Sequence, residues 1–222
     1  PSFEKLCNEH NTSMYVAAKS STPPILGLIG STHPDIDVYN STIFELIKKQ
    51  QIKSVILAAR WAVYPQVSGN RKTPSLVDPS NTALSPQEAF SLRLPETVAR
   101  LNKLGVHVWI LKQVPLQEKH APLIMANSKR FGHDSSEGGI PLADHKERQK
   151  FVNSVIDSLP PAQVTILDPT DIFLSEKGIC RFSIDGQPLY RDSDHLSRYG
   201  ALKIAPLFAP CFEEATPVNS TQ

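Results

Sequence analysis

The chain has 222 residues, 40% of them apolar and 20% charged, enough to enclose a sizeable core in one globular domain. Its 23 lysines and arginines against 22 aspartates and glutamates leave no broad basic field, so nucleic acid is not an expected partner. No apolar run approaches the roughly 20 residues of a membrane helix. Three cysteines, Cys7, Cys180 and Cys211, are too few for a disulfide framework and lack the paired CxxC spacing of a structural zinc site.

Strand-length apolar stretches alternate with helix-like ones, the pattern of a mostly parallel sheet covered by helices on both faces. A short helix is expected over residues 3–9, then a strand over 14–18 running into a Ser/Thr/Pro-rich segment. Over 39–51, Ile43, Phe44, Leu46 and Ile47 share one side while Lys48, Lys49 and Gln50 face away, an amphipathic helix feeding a strand at 54–59. Residues 64–83 are rich in Pro, Ser, Asn and Gly and read as a long surface loop. Ser85 begins the next helix as N-cap, with Pro86 at the first position and Glu88 closing a capping box. That helix reaches 104 and stops at Gly105, with Pro95 expected to break or kink it.

A buried strand follows at 106–111, then a second irregular region over 115–141. Asp144 is placed as the cap of a helix over 145–159, followed by a strand at 164–167. Ser197 caps a last helix carrying Tyr199, Ala201 and Ile204, and the polar tail over 213–222 is expected to be loose. Parallel α/β sheets bind ligands at their carboxyl edge, so the loops after Ala18, Ala59, Leu111 and Leu167 are the ones to watch. The expected domain is single, over 1–212. The start at Pro1, without an initiator Met or a signal sequence, suggests a truncated N-terminus.

The most informative stretch is Tyr190-Arg191-Asp192-Ser193-Asp194-His195-Leu196-Ser197, just before the last helix. Acyl chemistry at a hydroxyl needs a base to take its proton and a carboxylate to fix the imidazole tautomer, and one loop here supplies both as Asp192 and His195. The same residues also suit a plain turn, with Asp192 and Asp194 as turn residues and His195 a solvated or capping side chain.

This segment resembles the Asp-x-x-His block of the SGNH (GDSL-like) hydrolase and acyltransferase superfamily. More narrowly, it is similar to the SGNH domain fused behind the membrane acyltransferases that O-acetylate bacterial surface polysaccharides. The stretch from Val55 through Arg60, Trp61 and Tyr64 is similar to the strand-plus-Arg-Trp segment of those domains, and Ser21-Thr22-Pro23-Pro24-Ile25 stands at their Ser-Cys-Pro-Pro-like stretch. The resemblance covers roughly residues 20–208. It implies a three-layer α/β/α sandwich with a mostly parallel sheet, of the SGNH-hydrolase or flavodoxin-like kind.

The resemblance also implies a nucleophilic Ser in a Gly-Asp-Ser-His block ahead of the first helix, and therefore upstream of Pro1, so the fragment alone is expected to be inactive. Gly30-Ser31-Thr32-His33 mimics that block with Thr32 in the hydroxyl position, but it lacks the Asp and a Pro follows it. No Gly-x-Asn-Asp block follows Ala59, and Lys19 to Thr22 stand where another oxyanion donor is expected. Arg60 could bind an oxyanion or sugar and Trp61 could stack on a pyranose. Equally, Arg60 could pair with a carboxylate and Trp61 could pack in the core.

Related domains pair the Cys before Pro-Pro with one near Cys180. Thr22 replaces it here, so that disulfide is lost or Cys180 finds Cys7 or Cys211. His10, His33, His107, His120, His133 and His145 have no metal-site spacing, no metal is expected, and His107 reads as a core residue. Asn11-Thr12-Ser13 and Asn40-Ser41-Thr42 fit glycosylation sequons.

The expected activity is extracytoplasmic O-acyl (acetyl) transfer to a hydroxyl of a surface polysaccharide such as lipopolysaccharide O-antigen. Asp192 orients His195 and His195 is the base. The domain itself needs no cofactor; the acetyl group would come from acetyl-CoA through a membrane acyltransferase domain of the same chain, tethered at the periplasmic face of the inner membrane. The alternatives are a carbohydrate esterase with the same triad, or a non-catalytic carbohydrate-binding or docking module.

Overall fold

The computed structural model describes residues 2–31, 33–66, 75–132 and 138–213. In chain order the elements are α1 (Ser2–Glu9), β1 (Ile29–Gly30), α2 (Ile36–Lys49), β2 (Ser54–Ala58), β3 (Leu76–Val77), α3 (Pro86–Lys103), β4 (His107–Leu111) and α4 (Ala121–Phe131). There follow β5 (Gly139–Pro141), α5 (Leu142–Asp157), β6 (Val164–Leu167), α6 (Thr170–Phe173), β7 (Ile179–Arg181), β8 (Ser183–Ile184), β9 (Gln187–Pro188), α7 (Arg198–Ile204) and α8 (Ala209–Glu213). Single 3₁₀ turns occur at Trp61–Val63 and Ala205–Phe208. Among the described residues no helix is long and apolar enough to cross a membrane.

The chain divides into two compact units. One, residues 15–113 and 149–167, holds the parallel sheet in the order β2-β4-β6, with Leu57 opposite Ile110 and Ile110 opposite Ile166. The chain is thus of the α/β class, with the expected parallel sheet. These strands are apolar because helices cover them: Leu57, Val108 and Ile110 join Phe90, Leu94 and Val98 of α3 and Val152 and Ile156 of α5 in one buried cluster.

Helix α3 starts as its sequence dictates. The Ser85 Oγ accepts from the Glu88 amide at 3.3 Å, and the Glu88 carboxylate accepts from the Ser85 amide at 2.8 Å. Pro95 does not break the helix, contrary to expectation. The carbonyl it leaves without an intrahelical partner belongs to Ser91, an exposed residue open to water, while Leu94, Thr97 and Val98 around it are buried and hold the helix to the core.

Residues 14–18 form no strand. Tyr15 and Val16 are 63% and 76% exposed, so the apolar run has neither a ladder nor a buried face to make it one. The Pro23–Ile25 stretch is instead gripped by α2, whose buried Asn40 donates Nδ2 to the Pro23 and Ile25 carbonyls at 2.8 and 2.9 Å. With that nitrogen buried and committed twice, Asn40 is no glycosylation acceptor in the folded chain.

The other unit, residues 1–14, 114–148 and 168 onward, is built from short antiparallel pieces: β5 with β7, and the β8–β9 hairpin. The hairpin turn is Asp185-Gly186, both at positive φ (52° and 68°), the Asp-Gly pair that a two-residue turn favours. The region read as irregular over 115–141 contains α4, entered through Pro122 and stopped by Gly132 at φ 70°. Helix α5 begins at Leu142, so Asp144 lies in its first turn, where it favours the helix dipole, rather than capping it. The loop residues 67–74 and the tail from 214 lie outside the described residues.

In the sheet unit, Asp78 has no exposed surface and meets Arg93 at 2.7 Å (Nε to Oδ2) and 3.0 Å (Nη2 to Oδ1), with Ser80 donating to the same carboxylate. Arg93 holds the Asp78 carboxyl well below the ordinary carboxylate range against the opposing effect of burial, and Ser80 adds to this. Arg93→Ala leaves a buried carboxylate short of its main donor and is expected to cost about 2 kcal/mol, read as a lower urea midpoint. The unfolded chain binds the proton first as the solution is acidified. The wild type therefore holds this stabilisation above the ordinary carboxylate pKa of about 4 and loses it below, and the variant shows a flatter acid limb.

Candidate active site

The Asp192–His195 loop is closed at its base by main-chain bonds. Tyr190 and Leu196 form an antiparallel bridge, and the Arg191 amide donates to the His195 carbonyl at 2.9 Å. Beyond it, Ser197 caps α7: its Oγ accepts from the Gly200 amide at 3.0 Å and donates to the Pro188 carbonyl at 2.6 Å. The Ser197 amide donates to the Leu189 carbonyl at 2.9 Å. Gly200 is required here by proximity, since a Cβ would stand 2.0 Å from that same Leu189 oxygen.

Within the loop, the two oxygens of Asp192 have separate tasks. Oδ1 accepts from the amides of Asp194 and His195 at 2.9 and 2.7 Å, which folds the turn. Oδ2 lies 2.8 Å from His195 Nδ1, which fixes the ring. Burial opposes ionisation of Asp192, but the two amides and the ring together outweigh it and hold the carboxyl well below the ordinary range. An ionised carboxylate only accepts, so Nδ1 carries a proton, and in the neutral imidazole the lone pair then falls on Nε2. The His195 side chain is about half exposed, at 55%, so the basic nitrogen belongs to an accessible ring.

Asp194 Oδ1 lies 3.8 Å from His195 Nδ1 and accepts from Ser193 Oγ at 3.2 Å. Asp192, Asp194 and His195 each bring one possible ligand atom within 4.8 Å of the others. His195 Nδ1 lies nearer to Asp192, at 2.8 Å, than to Asp194.

The structure thus brings together Asp192 and His195, as the sequence leads one to expect. Arg60 and Trp61 belong to the other unit. Arg60 is exposed at the end of β2. Of the two readings of Trp61, core packing is the one found: it is fully buried, donates Nε1 to the Leu111 carbonyl at 2.7 Å, and meets Phe90 edge-on at 6.3 Å. It packs the core and presents no face to a ligand. Thr32, the rival hydroxyl, and His133 lie outside the described residues.

His107 is satisfied as expected, with Nε2 at 2.9 Å from Thr165 Oγ1 and its ring beside Trp109. No disulfide joins Cys7, Cys180 or Cys211, so of the alternatives for Cys180 the absence of a disulfide is the one found.

Sequence reasoning missed the segment before α4. The Gln117 amide donates to the Ser193 carbonyl at 2.8 Å and the Ala121 amide to the Asp192 carbonyl at 3.3 Å, so this segment docks along the outside of the loop. Main-chain contacts across some 75 residues leave no residue-type signature to read.

The family model describing an SGNH domain fused to AT3 domains matches residues 1–210, and the chain belongs to that family. Among solved structures it is similar to the periplasmic domain of a lipopolysaccharide acetyltransferase of Salmonella ser. Paratyphi A. The TM-score is 0.63 at 12% identity, covering 96% of this chain and 77% of that one, a likeness of fold. No curated protein sequence matches the chain.

Gly200→Ala is expected to push α7 away from Leu189 and cost about 1–3 kcal/mol, as overpacking does. Thermal unfolding of the variant measures the loss.

Proposed function

We propose that the chain is the acyl-accepting and acyl-delivering domain of an extracytoplasmic O-acetyltransferase that modifies a hydroxyl of a surface polysaccharide, lipopolysaccharide O-antigen being the leading candidate. The observation that carries the reading is the 2.8 Å Asp192–His195 contact, set on a loop of a chain whose family is defined by fusion to AT3 domains. The name of the similar Salmonella domain, a lipopolysaccharide acetyltransferase, supports the choice of acceptor.

In this reading a serine from a segment preceding residue 1 is acylated first. His195 Nε2 takes the serine proton as the acyl carbon–oxygen bond forms, and returns it to the departing donor. The sugar hydroxyl then attacks the acyl-serine, and His195 takes its proton and gives it to the serine oxygen as that oxygen leaves and the ester forms on the sugar. Asp192 stays ionised throughout, holds the tautomer and stabilises the transient imidazolium. The acetyl group originates from acetyl-CoA and crosses through a membrane acyltransferase domain of the same protein, so the domain works at the periplasmic face.

His195→Ala in the intact protein is expected to abolish polysaccharide acetylation, measured as the acetyl content of purified polysaccharide. Undiminished acetylation would remove the assignment.

A further inference from the structure

We propose that Gln117 is a positioning residue for the Asp192–His195 pair, an inference that rests on reading that pair as the acyl-transfer dyad. The contacts inside the loop fix His195 relative to Asp192 but leave open how the pair is held against the rest of its unit. Gln117 supplies that tie. It is 3% exposed, its amide donates to the Ser193 carbonyl at 2.8 Å, and its side-chain Nε2 donates to the Cys180 carbonyl on β7 at 3.3 Å.

From β7 the chain runs through Phe182, whose carbonyl accepts from the Leu189 amide at 2.8 Å, and the Leu189 carbonyl accepts from Ser197 at the far end of the dyad loop. The result is a closed ring: Cys180 to Phe182, to Leu189, around the loop to Ser193, and back through Gln117 to Cys180. Tyr190, at the near end of the loop, is fully buried against Phe173 at 5.6 Å. Every link except one is backbone to backbone. The Gln117 side chain is therefore the one side-chain link of this ring: its removal unties from β7 the strap whose Gln117 and Ala121 amides hold the Ser193 and Asp192 carbonyls, while leaving both dyad residues in place.

Opening it lets the loop tilt as a body. The internal Asp192–His195 bond survives, but Nε2 no longer stays aimed at the hydroxyl. The cost should fall on the rate of the chemical step rather than on acceptor binding, because misplacement of a catalytic group by about 1 Å lowers rates about 100-fold.

Gln117→Met keeps the side-chain volume and removes the donor. In the intact protein it is expected to lower kcat for acetyl transfer by about 10- to 100-fold with the acceptor KM nearly unchanged, and to speed amide exchange of residues 190–196. A folded Gln117→Met protein with wild-type kcat and wild-type exchange overturns the proposal.

Should the variant fail to fold, hydrogen exchange of the wild type decides. Residues 116–118 and 190–196 opening together supports the tie, and 190–196 exchanging freely while 116–118 stay protected contradicts it. The exchange measurements need no turnover, so an intact wild-type protein without acetyl transfer would count against the proposed function and leave the placement of Gln117 to be judged by exchange alone.

Discussion

One carboxylate governs this site. Asp192 folds the loop through one oxygen and orients a histidine through the other, so turn geometry and the tautomer of His195 depend on the same ionised group. The three-residue spacing makes this possible: an aspartate two and three residues ahead of the amides it accepts is a standard way to close a turn, and the residue brought round is the histidine itself. Orienting the ring with Nδ1–H toward Asp192 needs the charged form, so the amides that hold the proton off Asp192 also help to fix the histidine.

What lies around the loop follows from that requirement. A half-exposed histidine is useful only if its backbone is held, and here the Tyr190–Leu196 bridge, the Ser197 side-chain cap, and the main-chain strap of Gln117 and Ala121 hold it. The two units are stabilised differently. The sheet unit rests on apolar burial between β2, β4, β6 and the covering helices, with the Asp78–Arg93 pair as a buried polar anchor. The unit that carries the dyad has short ladders, and backbone hydrogen bonds between distant segments fix its loop.

Legibility from the sequence tracked how local the cause was. The capping box of α3, the Ser197 cap, β2, β4, β6 and the Asp192–His195 contact are all set by residues within a few positions of one another, and all were readable. Helix α4 was missed although Pro122 and Gly132 mark its ends. The Asp185-Gly186 hairpin was equally present in the sequence and passed over. Residues 14–18 misled because β-propensity is largely a statement about packing, and these side chains have nothing to pack against. Trp61 was undecidable in principle: a tryptophan at a strand end serves a core or a sugar equally well, and only its hydrogen bond to Leu111, fifty residues away, settles which. The strap on the dyad loop had no sequence signal at all.

The central claim, that Asp192 makes His195 a base by fixing its tautomer, is tested most directly by acetyl transfer in the intact protein carrying Asp192→Asn. The substituted amide can still accept from the Asp194 and His195 backbone through its oxygen, so the loop stays folded. Its nitrogen cannot accept from Nδ1, so the imidazole turns its lone pair the wrong way. The account predicts a folded protein whose acetyl transfer falls by something on the order of 10⁴; wild-type transfer by that variant would contradict it.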